Sequence, residues 1–159
     1  MTGKERITAV LSGQSGKLDK TPWVPFAGVH AGKLKGYSAI EVSKDVDKLV
    51  ESLLEVNKMY IPDGQPVMFD LQIEAEILGC DLVWSDNGPP TVSSHPLADT
   101  AEIPTGVPGP DEGRLAMELE AIRRMKKEVG ETTALYGLIT GPFTLASHLR
   151  GTNLFMDMI

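Results

Sequence analysis

The stretch Thr140-Gly-Pro-Phe-Thr-Leu-Ala-Ser-His-Leu-Arg-Gly151 contains a Gly-Pro turn between a predicted strand and a predicted helix, and the interpretation of this sequence depends on this turn. It follows the apolar run 133–139, which predicts a strand buried on both faces, and it continues as a predicted helix over 143–149. Ligands of α/β proteins bind at the carboxyl ends of strands, where the chain turns into the next helix. We therefore expect the Gly141-Pro142 turn to border a ligand site.

The rest of the chain alternates between helices and short apolar strands. Apolar residues at helical spacing predict helices at 4–11, 45–60 and 114–129, and a capping box predicts a helical turn from Ser38. Further strands are expected at 22–26 and 65–69, followed by a helix to Leu78, a hairpin at 81–92 and a long loop over 95–113. The segment 28–36 is expected to be irregular. This alternation predicts βαβ units, but its three parallel strands are too few for a closed eight-stranded barrel.

Composition limits the class of protein. The 159 residues, 42% of them hydrophobic, suit a single globular domain over 1–159. A net charge of -7 without a long basic run disfavours a nucleic-acid partner or an anionic membrane surface. The sequence lacks both an apolar run of about 20 residues and the apolar core of a signal peptide, so we expect a cytoplasmic protein.

Four side chains are considered for chemistry. Asp70 follows a predicted strand, where an acid can face a pocket, cap the next helix, or do both. His148 and His30 lie after two other strands and suit substrate binding or proton transfer, although either can be structural or solvated. The single Cys80 excludes an intramolecular disulfide, and no histidine lies at metal-ligand spacing from it. We therefore predict a buried Cys80 and no metal site within this chain.

Five motifs occur in an order that resembles a known superfamily. They are Lys4-Glu-Arg-Ile-Thr-Ala-Val-Leu11, Thr21-Pro-Trp-Val-Pro-Phe26, Phe69-Asp-Leu-Gln-Ile-Glu-Ala-Glu-Ile-Leu-Gly79, Gly88-Pro-Pro90 and Thr140-Gly-Pro-Phe-Thr-Leu145. Together they are similar to the amino-terminal half of the uroporphyrinogen decarboxylase superfamily. The resemblance covers nearly the whole chain. It implies an α/β fold of the TIM-type (β/α)8 barrel family, of which residues 1–159 would form about the first half.

The superfamily has two main branches, and the motifs favour one of them. The decarboxylases carry Arg-Gln-Ala-Gly-Arg after the first strand, where this chain has Val29-His-Ala-Gly-Lys33 and so lacks both arginines. Their pyrrole-binding acid matches Asp70, and their pocket tyrosine falls at His148. The junction 140–151 is more similar to corrinoid-dependent methyltransferases of the methylcobamide:coenzyme M type.

The resemblance implies the amino-terminal part of an enzyme that moves a methyl group from a corrinoid to a thiol. Asp70 would be catalytic, while His148 and His30 would bind substrate. The zinc ligands of this branch, a His-x-Cys and a later Cys, belong to the carboxyl half, so this chain alone is expected to bind no cofactor. A corrinoid protein is an implied partner.

Two alternatives remain open. One is a cofactor-free uroporphyrinogen decarboxylase of tetrapyrrole biosynthesis, in which Asp70 stabilises the protonated pyrrole. The other is an inactive half-barrel fragment that needs a partner chain. Because a half-barrel exposes unpaired strand edges, we expect self-association or pairing with a complementary half-barrel.

Overall fold

The computed structural model describes residues 1–100 and 102–159, in which helices pack around a short parallel strand pair. The α-helices are α1 (Gly3–Leu11), α2 (His30–Lys35), α3 (Ala39–Lys44), α4 (Val46–Tyr60), α5 (Ile73–Ile77), α6 (Leu115–Val129), α7 (Pro142–Arg150) and α8 (Asn153–Asp157). The strands are β1 (Gly64–Pro66), β2 (Leu82–Ser85), β3 (Gly88–Val92) and β4 (Ala134–Tyr136). None of the helices in this described part is both long and apolar enough to cross a membrane.

The parallel pair is formed by β1 and β4, with Gly64 opposite Ala134 and Pro66 opposite Tyr136. Both strands are shorter than predicted, although the pairing extends past Pro66, because the Val67 amide donates a hydrogen bond to the Tyr136 carbonyl at 3.0 Å. The prediction that 133–139 is buried on both faces is wrong, because Ile139 is 82% exposed. Among the described residues, β4 pairs with β1 alone, so only one of its edges is covered.

The predicted strand 22–26 lies beside β1 but forms no strand ladder. Pro22 and Pro25 lack the N–H groups that a ladder requires. The segment is nevertheless attached to the start of β1, because the Trp23 carbonyl accepts a hydrogen bond from the Asp63 amide at 2.8 Å. Three neighbouring segments therefore run side by side, as expected for successive βα units.

The main core lies between α4 and α6. The apolar stripe predicted for α4 is confirmed, with Leu49 and Leu53 fully buried against Ala121 and Met125 of α6. Asp45 caps α4 by accepting hydrogen bonds from the Asp47 and Lys48 amides. Because α6 packs along the parallel pair and leads into β4, its amino end lies at the carboxyl ends of the strands.

The expectation of an irregular segment over 28–36 is wrong, because residues 30–35 form α2. Tertiary packing stabilises this short helix: Ala31 and Gly32 are buried, and a Cβ on Gly32 would lie only 2.9 Å from Val42 Cγ1 of α3. Gly36, with φ of 78°, ends the helix in the left-handed conformation that glycine adopts easily.

The hairpin and the long loop are confirmed, whereas the helix after β1 begins later than predicted. β2 and β3 pair antiparallel, and 95–100 and 102–113 contain no helix or strand. Since α5 starts at Ile73 with Gln72 as its N-cap, Asp70 does not cap the helix. Asp70 Oδ1 instead accepts a hydrogen bond from the Gln72 amide at 2.8 Å, which forms a local turn.

Candidate functional site

Asp70 forms the centre of a buried charged cluster at the carboxyl end of β1. Its side chain is 3% exposed and forms an ion pair with Nη1 of Arg114, the residue that precedes α6. Nε of Arg114 donates a hydrogen bond to Glu76 Oε2 at 2.7 Å. The guanidinium thus joins two carboxylates from different segments. Such charge-assisted hydrogen bonds are stronger than neutral ones and set the direction of each group.

The hairpin supplies an aromatic face to the same guanidinium. The Trp84 ring of β2 lies 4.8 Å from Cζ of Arg114, and Nζ of Lys44 lies 4.0 Å from the centre of this ring. Both distances suit cation–π attraction. Nη2 of Arg114 is buried and has no hydrogen-bond partner among the described residues. Two carboxylates and an indole therefore hold Arg114 in place, and one of its donors remains available.

The junction after β4 is anchored to α5 through Glu74. The Thr140 amide donates to Glu74 Oε1 at 3.1 Å, and the Thr140 hydroxyl lies 3.0 Å from Glu74 Oε2. The same hydroxyl also contacts the Leu71 carbonyl oxygen. Glu74 and Glu76 therefore bind different partners, because two residues that are two positions apart do not share a helical face. These contacts place the ends of β1 and β4 beside each other.

Glu118 adds a second buried acid to this region. It lies in the first turn of α6, is 5% exposed, and comes from the same helix end as Arg114. The pKa of Glu118 is raised from 4.5 to about 7, mainly by burial and also by the negative charges of Glu74 and Asp70, while the positive charge of Arg114 acts in the opposite direction. The site thus holds one carboxyl group that titrates near neutral pH.

The space next to Asp70 is small. Asp70, Phe69 and Val29 are among the residues that line a cavity of about 10 Å³, beside Pro89 and Pro90 of the hairpin. This volume is close to that of a single water molecule. In this structure Asp70 therefore belongs to a packed cluster rather than to an open pocket.

His30 lies in a separate aromatic groove. It is the first residue of α2, and its Nε2 lies 2.7 Å from the Tyr60 hydroxyl. The groove has a volume of about 320 Å³ and is also lined by Trp23 and Phe26. Phe26 packs edge to face on Phe69, the residue before Asp70, with ring centres 5.5 Å apart. His30 is thus near the end of the first segment, as expected, but on a helix rather than in a loop.

His148 lies on α7, which packs against α5 through a small apolar cluster of Ala75, Cys80 and Leu149. Nε2 of His148 is buried without a hydrogen-bond partner among the described residues. Its backbone carbonyl accepts hydrogen bonds from Cys80 Sγ at 3.4 Å and from His95 Nδ1 at 2.7 Å. The prediction of a buried Cys80 is confirmed.

The three residues proposed from the sequence do not form one contact network. Within residues 1–100 and 102–159, no hydrogen bond or ion pair links Asp70 to His30 or His148. Sequence reasoning missed Arg114 and Glu118. One signal was present, since they begin the helix that precedes a strand, and such helix ends lie at the carboxyl edge of a parallel sheet.

The described residues do not fit the zinc that the methyltransferase branch implies. No three His, Cys, Asp or Glu side chains in the described part of the chain are arranged to hold a metal ion. The charged side chains at the site also point to other partners, since Asp70 and Glu76 bind Arg114 and Glu74 binds Thr140.

Comparison with known sequences gives a family match over almost the whole chain. Residues 2–159 match the profile of the family described as uroporphyrinogen decarboxylase (URO-D). The methylcobamide:CoM methyltransferase MtbA of Methanosarcina acetivorans is 30% identical over 164 residues, which cover 99% of this chain and 47% of that protein. A uroporphyrinogen decarboxylase of Wolbachia sp. subsp. Brugia malayi is 29% identical over 112 residues, which cover 70% of this chain and 31% of that protein.

Comparison with solved structures agrees with the sequence match. A methyltransferase from Methanosarcina mazei superposes with a TM-score of 0.81 and 26% sequence identity, covering 99% of this chain and 48% of that chain. The expected resemblance to the amino-terminal half of the methyltransferase branch, and with it the TIM-type barrel family, is confirmed. The chain spans about half the length of the methyltransferases that it matches.

Proposed function

The chain belongs to the uroporphyrinogen decarboxylase (URO-D) family, and we propose that it is the amino-terminal part of a methyltransferase that transfers a methyl group from a corrinoid to a thiol. The observation that carries this proposal is the similarity to MtbA methyltransferases in sequence and to a methyltransferase from Methanosarcina mazei in structure, each of which extends over nearly all of the chain. The similarity to the decarboxylases covers a smaller part of it.

In this proposal the substrate binds beside the cluster formed by Asp70, Arg114 and Glu76. Arg114 orients the Asp70 carboxylate, and the free Nη2 of Arg114 is a donor for a substrate oxygen or a water molecule. Asp70 is assigned as the catalytic residue because it lies at the carboxyl end of β1, where barrels of this type bind their substrates. His30 and His148 are assigned as substrate-binding groups.

The reaction requires chemistry that the described residues do not supply alone. The thiol must lose its proton before its sulfur forms a bond to the methyl carbon, and the bond from that carbon to the corrinoid breaks in the same step. A thiolate is the reactive form, and proteins lower a thiol pKa with a metal or a nearby positive charge. We assign the metal or positive charge to a complementary half-barrel and the methyl donor to a corrinoid protein. Together with this chain they would complete the enzyme.

One observation weighs against the decarboxylase alternative. Where the decarboxylases carry arginines for the substrate carboxylates, this chain has Val29 and Lys33, and Lys33 is exposed on α2. A lysine is a point charge without the planar fork that binds a carboxylate through two hydrogen bonds. The pattern of groups around α2 therefore favours a substrate other than a polycarboxylate.

The experiment that tests the proposal supplies a carboxyl half as a second polypeptide. The chain is mixed with a separately expressed polypeptide that corresponds to the carboxyl half of the Methanosarcina acetivorans MtbA. Methyl transfer from methylcobalamin to coenzyme M is then measured, together with carbon dioxide release from uroporphyrinogen. We expect thiol methylation only in the mixture, and a loss of about tenfold or more in rate with Asp70→Asn, which keeps the size but removes the charge.

The outcomes separate the three hypotheses. Decarboxylation without thiol methylation would establish the decarboxylase alternative, and a stable mixed complex without either activity would establish the inactive half-barrel. The exposed Asp111→Asn in the long loop is the matched control for the loss of an aspartate charge, and its rate should equal that of the unmodified chain.

A further inference from the structure

We propose that Trp84 is a positioning residue of the Asp70–Arg114 pair: its indole fixes the plane of the Arg114 guanidinium and thereby sets the direction of Nη2, the donor that remains available. The effect of Trp84 on Arg114 follows from geometry and needs no substrate. Its effect on catalysis rests on the proposed function, in which Nη2 donates to a substrate oxygen.

The hydrogen bonds of Arg114 fix the place of its guanidinium but not the tilt of its plane. Nη1 pairs with Asp70, and Nε donates to Glu76 Oε2 at 2.7 Å. Both nitrogens belong to one flat group, so this group can still rock about the line that joins the two acids. Nη2 is buried without a hydrogen-bond partner among the residues that the structure describes. A contact on the face of the guanidinium is what removes this remaining freedom.

Trp84 supplies the contact on this face. Cζ of Arg114 lies over the indole, 4.8 Å from the ring centre. An arginine in this position is attracted by the negative face of the ring and stacks on it with its own flat surface. Because the stacked indole restricts rocking, the direction of Nη2 depends on Trp84, whereas its distance from Asp70 depends on the ion pair.

The hairpin presents Trp84 in a defined direction. The strand register shifts at this residue, where Pro89 and Pro90 of β3 together lie opposite Trp84 of β2. Prolines have no N–H for a ladder, and a bulge of this kind increases the local twist and redirects side chains. Pro90 is buried beside the small cavity at Asp70. On the side of α3, Nζ of Lys44 lies 4.0 Å from the centre of the indole and helps to hold it.

The backbone before Arg114 is held against α5. Gly113 has φ of 50°, a left-handed conformation that glycine adopts easily. A Cβ on Gly113 would lie 3.0 Å from Ile77 Cγ1, so the glycine permits a close approach to the end of α5 beside Glu76. With the backbone and two guanidinium nitrogens held in this way, the tilt that Trp84 controls is the freedom left to the Arg114 head group.

The test measures the exchange of the Arg114 Nε hydrogen with water by NMR, relative to the buried backbone amides of α6. In Trp84→Leu we expect this exchange to rise about tenfold or more, because the hydrogen bond to Glu76 opens more often. Trp84→Phe keeps an aromatic face and should restore most of the protection. Trp23→Leu removes the other tryptophan of the chain, which lines the His30 groove, and should leave the Arg114 exchange unchanged.

The assignment of Trp84 is overturned if Trp84→Leu and Trp23→Leu have the same Arg114 exchange, or if Trp84→Phe loses as much protection as Trp84→Leu. A rise shared by the amides of α6 would also overturn it, since that result would show general destabilisation of the fold.

A kinetic measurement tests the link to the substrate in the mixture with the carboxyl half. Trp84→Leu should raise KM for coenzyme M about tenfold with a smaller change in kcat, because a contact to the bound substrate is lost while Asp70 keeps its ion pair. Trp84→Phe should lie between this variant and the unmodified chain. An unchanged KM would overturn the substrate role of Nη2. If the unmodified mixture transfers no methyl group, the proposed function fails, and the exchange of the Arg114 hydrogen decides on Trp84 alone.

Discussion

At the scale of single residues, the Arg114 guanidinium links Asp70 after β1 to Glu76 in α5. Asp70 is 3% exposed and Arg114 is 12% exposed, so neither charge is well solvated. A buried charge is tolerated when it is paired and hydrogen-bonded, and removal of one partner leaves the other uncompensated. The stability of this region should therefore depend on Arg114 more than on any exposed arginine of the chain.

We predict that Arg114→Met lowers the free energy of unfolding by about 3–5 kcal/mol, because Asp70 is left as a buried unpaired charge. Urea denaturation followed by circular dichroism measures the change. The matched control is Arg123→Met on α6, which removes an exposed pair with Glu120 and should cost at most about 1 kcal/mol. Equal losses in the two variants would contradict a stabilising role for the cluster.

The raised pKa of Glu118 predicts how stability changes with pH. Burial moves this pKa from 4.5 to about 7 on folding, so the folded chain holds the proton more tightly than the unfolded chain. This contribution to stability is complete below about pH 4.5 and is lost as the pH rises through about 7. Each tenfold difference in proton affinity between the folded and unfolded chain corresponds to about 1.4 kcal/mol, so the total loss amounts to a few kcal/mol.

The corresponding measurement is the free energy of unfolding of the unmodified chain and of Glu118→Gln at several pH values. The difference between them should change steadily across the window from about 4.5 to about 7 and level off outside it. A difference that stays constant across this window would show that Glu118 has an ordinary pKa.

At the scale of secondary structure, α2 shows how packing overrides local preference. The segment 28–36 contains three glycines, which favour irregular structure, yet residues 30–35 are helical because Ala31 and Gly32 are buried against neighbouring helices. The absence of a side chain at Gly32 is what permits this close approach to Val42.

We predict that Gly32→Val destabilises the chain by about 1–3 kcal/mol, the usual cost of overpacking. The new side chain would meet Val42 Cγ1 at 2.9 Å and the Tyr37 carbonyl oxygen at 3.1 Å. Thermal unfolding provides the measurement. Gly16→Ala is the control, since no atom lies within 4 Å of its added Cβ, and it should leave the midpoint nearly unchanged.

At the scale of the whole molecule, the second edge of β4 is uncovered in the described part of the chain. Tyr136 of β4, Ile139 in the segment after it and Phe143 at the start of α7 are exposed. Unpaired strand edges with apolar side chains are sites of association. This arrangement supports the proposal that the chain associates with itself or with a complementary half-barrel.

We predict that the chain associates in a concentration-dependent manner, and that Ile139→Lys weakens this association about tenfold or more, which corresponds to about 1.4 kcal/mol. Sedimentation velocity at several concentrations provides the measurement. Val107→Lys, at a similarly exposed position in the long loop, should have no effect. A monomer at all concentrations in the unmodified chain would contradict self-association through this edge.

Sequence reasoning succeeded where the relevant interactions are local or periodic. The apolar stripe of α4, the capping box at Ser38 and the hairpin were predicted because they depend on residues within a few positions of one another. Asp70 was proposed as a site residue because it follows a predicted strand. Arg114 was missed because 44 positions separate it from Asp70, and no local pattern indicates that pairing.

The sequence by itself determined the family, the helices with a regular apolar stripe and the position of the Gly141-Pro142 junction, since each of these follows from local pattern or from motif order. The tertiary structure decided which acids are paired, which one carries a proton near neutral pH, and that the apolar run 133–139 is half exposed. The physical reason is that burial and charge pairing depend on all neighbours in space, and most of those neighbours are distant along the chain.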